Sequence, residues 1–264
     1  MRCAVLGSPI AHSLSPALHR AAYRSLGLDW TYEAIEVDSA SLTGFVEGLG
    51  EQWRGLSLTM PLKRTVLPLL TEQDLWVTRS GAANTVILEG GQRRGFNTDI
   101  PGAMAALKER SVQPNVVTII GAGATAASVG LAVVELGARQ IRIAARNLAT
   151  AAETVAQVSA HPGAPEVNLI GLEQELSADL LVSTIPAAAQ VTLRLGEVAA
   201  IFEVVYDPWP TPLAQEATKR GSVLVDGLDL LAHQAVGQVR LMTGAEVGVE
   251  VLRGAGRQAL ASRQ

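Results

Sequence analysis

Cysteine is all but missing from this chain: Cys3 is the single thiol among 264 residues. That excludes an intramolecular disulfide and a cysteine-based metal framework. Cys3 lies in the first apolar run, where a small buried core residue is expected. Aromatic side chains make up 4%, while alanine, glycine, valine and leucine are abundant, the usual composition of packed α/β layers. Basic clusters are lacking too. The formal net charge is −4, with lysine and arginine scattered, so there is no electrostatic footprint for nucleic acid or for an anionic membrane. No apolar run reaches the ~18 residues of a membrane span, and the start MRCAVLG lacks the regions of a secretory signal. A soluble cytoplasmic protein, monomer or homodimer, is expected. With 48% hydrophobic and 17% charged residues, the chain can bury one large core or two modest ones.

Short apolar runs alternate with longer amphipathic segments. Residues 2–6, 31–37 and 56–59 read as strands, with helices at 16–26 and 42–49. Ser15 is the expected cap of the first helix and Pro16 its first residue. Such an order favours a parallel sheet covered by helices. Residues 83–88 and 93–97 form an expected hairpin around Glu89-Gly90-Gly91-Gln92. A second α/β series has strands at 116–120, 141–144, 167–170, 180–183, 202–206 and 223–225, with helices at 124–136 and 148–158. Residues 100–110 also look helical. Two closing amphipathic stretches, 228–243 and 246–261, have no strand between them and are long enough to fold back on another domain.

The strand at 116–120 runs directly into Gly121-Ala122-Gly123-Ala124-Thr125-Ala126. This is G-x-G-x-x-A between a strand and a helix, the context in which the pattern means dinucleotide binding. Gly121 allows the tight turn, Gly123 lets backbone approach a pyrophosphate, and Ala126 fills the third small position. Amides at the helix start present partial positive charge to phosphates. A ligand-free glycine turn is the bland alternative. Enzymes using NAD usually place an acid at the end of the next strand, about 20 residues on. Here that strand ends Ala144-Ala145-Arg146-Asn147. The planar donor fork of Arg146 suits a ribose 2′-phosphate, so the cofactor expected is NADP.

Four segments of the first half carry a further signal: Gly7-Ser8-Pro9-Ile10-Ala11-His12-Ser13-Leu14-Ser15-Pro16, Gly55-Leu56-Ser57-Leu58-Thr59-Met60-Pro61-Leu62-Lys63, Gly81-Ala82-Ala83-Asn84-Thr85 and Gly95-Phe96-Asn97-Thr98-Asp99. With the phosphate loop, the 206–213 stretch and residues 227–238, they resemble the shikimate dehydrogenase family over nearly the whole chain. The family often has Asn-Val-Thr where Ser57-Leu58-Thr59 stands, Asn-Ala-Thr-Pro where Ser183-Thr184-Ile185-Pro186 stands, and threonine in place of Asn147.

The resemblance implies an NADP-dependent oxidoreductase interconverting 3-dehydroshikimate and shikimate, in chorismate and aromatic amino acid biosynthesis. Oxidising an alcohol requires a group to take the hydroxyl proton as hydride leaves. The resemblance gives that work to Lys63 and Asp99, without settling which carries the proton in each step. The free pKa of lysine, about 10.4, is too high for a good base; burial lowers that value and a nearby carboxylate raises it again. The family's carboxylate-binding serines match Ser13 and Ser15. Its hydroxyl-binding set matches Thr59, Asn84, Asp99 and Gln234, and its tyrosine near the carboxylate matches Tyr206. On the cofactor side it adds Thr184 and Gly227 to the phosphate loop, Arg146 and Asn147. No metal is implied, and His12 and His19 read as structural.

The expected fold is α/β with two domains: a substrate-binding α/β domain at 1–100 and a Rossmann-like NADP domain at 101–227. Helices at 228–264 pack back on the first, and substrate sits in the cleft between the domains. A quinate/shikimate dehydrogenase using NAD is disfavoured by Arg146. A methylene-tetrahydrofolate dehydrogenase does not fit the Ser13-Leu14-Ser15-Pro16 and Asn97-Thr98-Asp99 segments. A non-catalytic NADP-binding sensor is disfavoured by the intact Lys63 and Asp99.

Overall fold

A computed structural model describes residues 1–263. The chain divides into two compact units, Met1–Thr98 with Leu231–Gln264, and Asp99–Leu230. Asp99, expected within the first domain, therefore opens the second unit.

The first unit contains β1 (Arg2–Gly7), α1 (Ser15–Ser25), β2 (Thr31–Glu36), α2 (Leu42–Glu47), β3 (Trp53–Leu58), α3 (Leu62–Thr65), β4 (Glu72–Gln73), α4 (Leu75–Ser80), β5 (Thr85–Glu89) and β6 (Gln92–Phe96). Its sheet runs β2-β1-β3-β5-β6-β4. The strands β2, β1 and β3 are parallel, and β5 turns back antiparallel to both β3 and β6. Side chains alternate across β1 as the pleat requires. Ala4 and Leu6 join Leu42, Val46 and Leu58 in one core, while Cys3 and Val5 join Tyr23, Tyr32 and Met242 in another. The β5–β6 turn is the two-residue Gly90-Gly91 connection that the Glu89–Gln92 sequence suggested, both glycines at positive φ.

In the second unit, α5 (Asp99–Glu109) leads to β7 (Val116–Ile120), α6 (Ala124–Glu135), β8 (Gln140–Ala144), α7 (Leu148–Ser159), β9 (Glu166–Ile170), β10 (Glu175–Ser183), β11 (Arg194–Glu203), α8 (Pro212–Arg220) and β12 (Val223–Val225). These strands form a parallel sheet of order β12-β11-β10-β7-β8-β9. The chain ends with α9 (Gly227–Thr243), inside which the division between units falls, and α10 (Val249–Ala261). The closing segment joins the first unit: Arg54 Nε donates to Met242 O at 2.9 Å and Tyr23 OH to Met242 Sδ at 3.5 Å.

Three local expectations are corrected. Ser15 does not cap α1. Leu14 holds that position, and its carbonyl already accepts the amides of Ala17 and Leu18 that a Ser15 cap would need. Thr59 lies beyond β3 rather than inside it. The strand expected at 202–206 spans Arg194–Glu203 instead, leaving Tyr206 in the following loop. Among the described residues no helix is long and apolar enough to cross a membrane, and no group of three or more His, Cys, Asp or Glu side chains could hold a metal ion.

Candidate active site

In the first unit the named residues gather where β1, β3 and β6 end and β5 begins. Parallel β1–β3 pairing, with the chain reversing at β5 and again at β6, puts those strand termini on one edge of the sheet, the place where open α/β sheets bind ligands. Backbone bonds fix the edge: Thr59 N to Leu6 O at 2.9 Å, Leu58 N to Asn84 O at 2.7 Å, and Asn84 N to Phe96 O at 3.0 Å. Lys63 is half-buried on the one-turn α3 that follows β3, and its carbonyl accepts from Ala83 N at 2.8 Å.

Asn84 is 2% exposed, and its Oδ1 accepts from Thr98 N and from the Thr85 hydroxyl, at 2.9 and 2.8 Å. Its Nδ2 donates to Thr98 Oγ1 and to Gln234 Oε1, at 2.9 and 3.2 Å. The amide oxygen and both N–H donors of Asn84 are thus committed to protein partners, which fixes the side chain's orientation. Gln234, on α9, and Thr98 complete a neutral, interlocked cluster. Thr98 was quoted in the sequence but not singled out, because a threonine before a helix is commonplace.

The Ser13 hydroxyl accepts from Ser15 N at 3.2 Å, which ties the two serines together. Ser15 itself is buried. Tyr32 OH donates to Ser57 Oγ at 2.6 Å, and Ser57 donates to Gln238 Oε1 at 3.0 Å. Gln238 Nε2 then donates to Asn84 O and Thr85 Oγ1, at 3.2 and 3.0 Å. A continuous hydrogen-bonded chain therefore links Tyr32 to Asn84. Sequence reasoning missed Tyr32 and Gln238, since partners 181 residues apart leave no local pattern.

His19 lies under this chain, stacked on Tyr32 with ring centroids 4.0 Å apart. Its Nδ1 faces Ser15 O at 2.9 Å, which requires that nitrogen to carry the proton. Burial pushes the imidazole pKa down to about 4, against the Ser15 O hydrogen bond that favours the charged form. A depressed folded value makes protonation favour unfolding. Stability from the neutral ring is complete above about 6.5, the ordinary histidine value, and falls as pH drops toward 4. Thermal melts of wild type and His19→Phe should therefore converge as pH is lowered from 7 to about 4.5; a gap that stays constant would contradict a buried neutral His19.

In the second unit, β7 ends at Ile120 and α6 starts at Ala124, with Gly123 as its cap. Gly121 has φ +108°, and a Cβ there would lie 2.2 Å from Thr184 Oγ1. Only glycine permits both that turn and that approach. Thr184 holds the turn in place, its hydroxyl and amide each donating to Ile120 O at 2.9 Å. A Cβ at Gly123 would meet no protein atom, so space is open beside the amides of α6. Ala126 is fully buried against the sheet. Thr154 Oγ1 on α7 donates to Ala122 O at 2.8 Å, bracing the loop from the other side.

Arg146 is exposed just past β8, and the next residue, Asn147, accepts the Ala149 amide at 3.0 Å, which caps α7. No carboxylate follows β8 before that helix. The turn and this cation fit a dinucleotide with a 2′-phosphate. Gly227 starts α9 against the loop after β11, where a Cβ would lie 2.4 Å from Val204 O; its requirement is packing. Asp99 is buried as the first residue of α5, and Tyr206 is half-buried in the loop 204–211.

A family model, the shikimate dehydrogenase substrate binding domain, matches residues 5–86. A Shikimate dehydrogenase (NADP(+)) of Thermus thermophilus is 35% identical, with 98% of this chain and 99% of that protein covered. The chain belongs to the shikimate dehydrogenase family. Among solved structures of this family, Mycobacterium tuberculosis shikimate dehydrogenase superimposes with a TM-score of 0.88 at 36% identity, covering 97% of this chain and 99% of that one. A shikimate 5-dehydrogenase from Thermus thermophilus, in complex with NADP(H) and shikimate, gives 0.86 at 33% identity, covering 98% and 99%. Two of the three departures from the shikimate dehydrogenase patterns have structural partners of their own here: Ser57 sits between Tyr32 and Gln238, and Ser183 accepts from Gln190 Nε2 at 3.1 Å.

Proposed function

We propose that this chain is an NADP-dependent shikimate dehydrogenase, interconverting 3-dehydroshikimate and shikimate in the cytoplasm as a monomer or homodimer. One observation carries the substrate assignment: the neutral Asn84–Thr98–Gln234 cluster beside Lys63, on the same sheet edge as the Ser13–Ser15 loop. A ring acid with several hydroxyls needs donors and acceptors at fixed positions, and interlocked amides and hydroxyls supply them with little reorganisation. The Ser13 and Ser15 loop binds the carboxylate, with Tyr206 near it. Thr59, Asn84, Asp99 and Gln234 serve the ring hydroxyls.

Residues 121–126 hold the pyrophosphate, Arg146 and Asn147 face the 2′-phosphate, and Thr184 and Gly227 shape the rest of the cofactor site. NADP, when bound there, would supply the hydride acceptor for the ring carbon. Lys63, paired with Asp99, takes the proton from the hydroxyl on that carbon, and the C–O single bond becomes a carbonyl. Run backwards, the same pair returns the proton.

Purified protein assayed by near-ultraviolet absorbance, with shikimate or quinate and with NADP or NAD, tests this directly. The NADP and shikimate pair should give the highest kcat/KM. The NAD arm matters because a Listeria monocytogenes relative, 26% identical, was solved with shikimate and NAD. No turnover in any arm would leave an NADP-binding sensor as the better reading, and preferred quinate turnover would move the substrate.

A further inference from the structure

Glu203 is a carboxylate at 0% exposure that takes no part in the reaction outlined above. It ends β11 inside the second unit. Burying a carboxylate is costly unless donors replace the lost water, and here they come from several segments. Val205 N donates to Oε1 at 3.0 Å. Gln190 Nε2 and Thr211 Oγ1 donate to Oε2, at 2.6 and 2.9 Å.

Each of these partners anchors something else. Gln190 closes the loop that follows Thr184; its Nε2 also reaches Ser183 Oγ at 3.1 Å and Ile185 O at 3.4 Å, and its Oε1 accepts Leu213 N at 3.2 Å. Thr211 caps α8 by accepting Ala214 N at 3.1 Å. Val205 is the residue before Tyr206. One carboxylate therefore joins loop 184–190, loop 204–211 and the start of α8.

We propose that Glu203 is a positioning residue that clamps loop 184–190 to loop 204–211, so that Thr184 on the cofactor side and Tyr206 on the substrate side are set by one buried group. The consequence for catalysis rests on the functional reading above. A shared anchor of this kind makes the two loops move together, and its loss should be felt by both ligands. A carboxylate does this better than an amide, because it accepts every bond and needs no orientation to choose between oxygen and nitrogen.

Glu203→Gln keeps the size, but with its oxygen kept toward Gln190 and Thr211 it turns an NH₂ group against the Val205 N–H. It should raise KM for NADP and for shikimate by about tenfold each, the scale set by one buried donor left unsatisfied, with a smaller change in kcat. A double-mutant cycle with Tyr206→Phe separates positioning from stability. Tyr206→Phe should raise the shikimate KM severalfold in wild type and by less than about twofold in the Glu203→Gln background. Effects that simply multiply, with only a lowered Tm, would overturn the proposal. Should Glu203→Gln fail to fold, Gln190→Met carries the same cycle.

If Tyr206→Phe alone changes nothing, or the protein does not turn over shikimate, it is the functional reading that fails. The clamp is then judged without ligands, by amide hydrogen exchange of the Glu203→Gln variant. Val205 and Leu213 should lose protection while β7 and β8 keep theirs. Unchanged protection at Val205 and Leu213 would refute the clamp on its own.

Discussion

Lys63→Ala is expected to lower kcat by about 10²–10⁴-fold, the usual contribution of a positioned acid or base. Shikimate should still bind within a few-fold. The Asn84–Thr98–Gln234 cluster is held by its own bonds, and these do not depend on the ammonium group. The variant should also fold. Alanine suits α3, and the bond from Ala83 N to the carbonyl of residue 63 is a backbone bond that the substitution keeps. The loss should therefore appear in kcat and in kcat/KM together, as for an interaction made only in the transition state. Asp99→Asn should be slow as well, because an amide cannot balance the lysine charge. Steady-state kinetics showing wild-type turnover for Lys63→Ala would remove it from the chemistry; a fully active Asp99→Asn would leave Asp99 as a helix-start residue only.

The second large effect concerns the cofactor. Arg146→Asp should weaken NADP by about 10- to 150-fold, through loss of charge-assisted hydrogen bonds worth ~1.5–3 kcal/mol. The new carboxylate also repels the 2′-phosphate and can accept from a ribose hydroxyl, so relative use of NAD should rise. The oxygen of Asn147 is occupied by the Ala149 amide, which concentrates discrimination on Arg146. Because the site is exposed, the penalty should shrink at high salt. An unchanged ratio of kcat/KM for NADP and NAD would make Arg146 a surface bystander.

How far these elements could be read in advance follows from where water is excluded. The strands 2–6, 116–120 and 141–144 are covered on both faces, so their apolar runs stood out. The glycine turn after Ile120 was legible because Gly121 answers a steric demand visible in the sequence. Half-covered strands were read short. Residues 175–179 are largely polar, so β10 showed only its buried end, Leu180–Ser183. β11 similarly begins with the polar, partly exposed stretch from Arg194 and is solidly buried only at its end. Its reach was guessed too far, to Tyr206, because apolar Val204 and Val205 continue the pattern. The chain leaves the sheet where the Val205 amide turns to Glu203 Oε1, a side-chain bond that no periodicity announces. The interlocked site amides were equally hidden. Asn84 and Gln234 could be singled out by resemblance, but their bond to each other across 150 residues, and the part of Thr98 between them, follow only from the fold.

Closing the first unit requires Met242, which touches Tyr23 across 219 residues and accepts Arg54 through its carbonyl. Everything between Asp99 and Leu230 leaves the ribosome before that residue does. The dinucleotide turn, its sheet and the Glu203 knot can therefore form while the first sheet still lacks one of its covering helices. During synthesis the apolar face that Met242 will cover is complete in sequence but unsheltered, and it must wait for the closing stretch of the chain. Nascent chains stalled short of residue 242 would be captured by chaperones through that face rather than through the finished central unit.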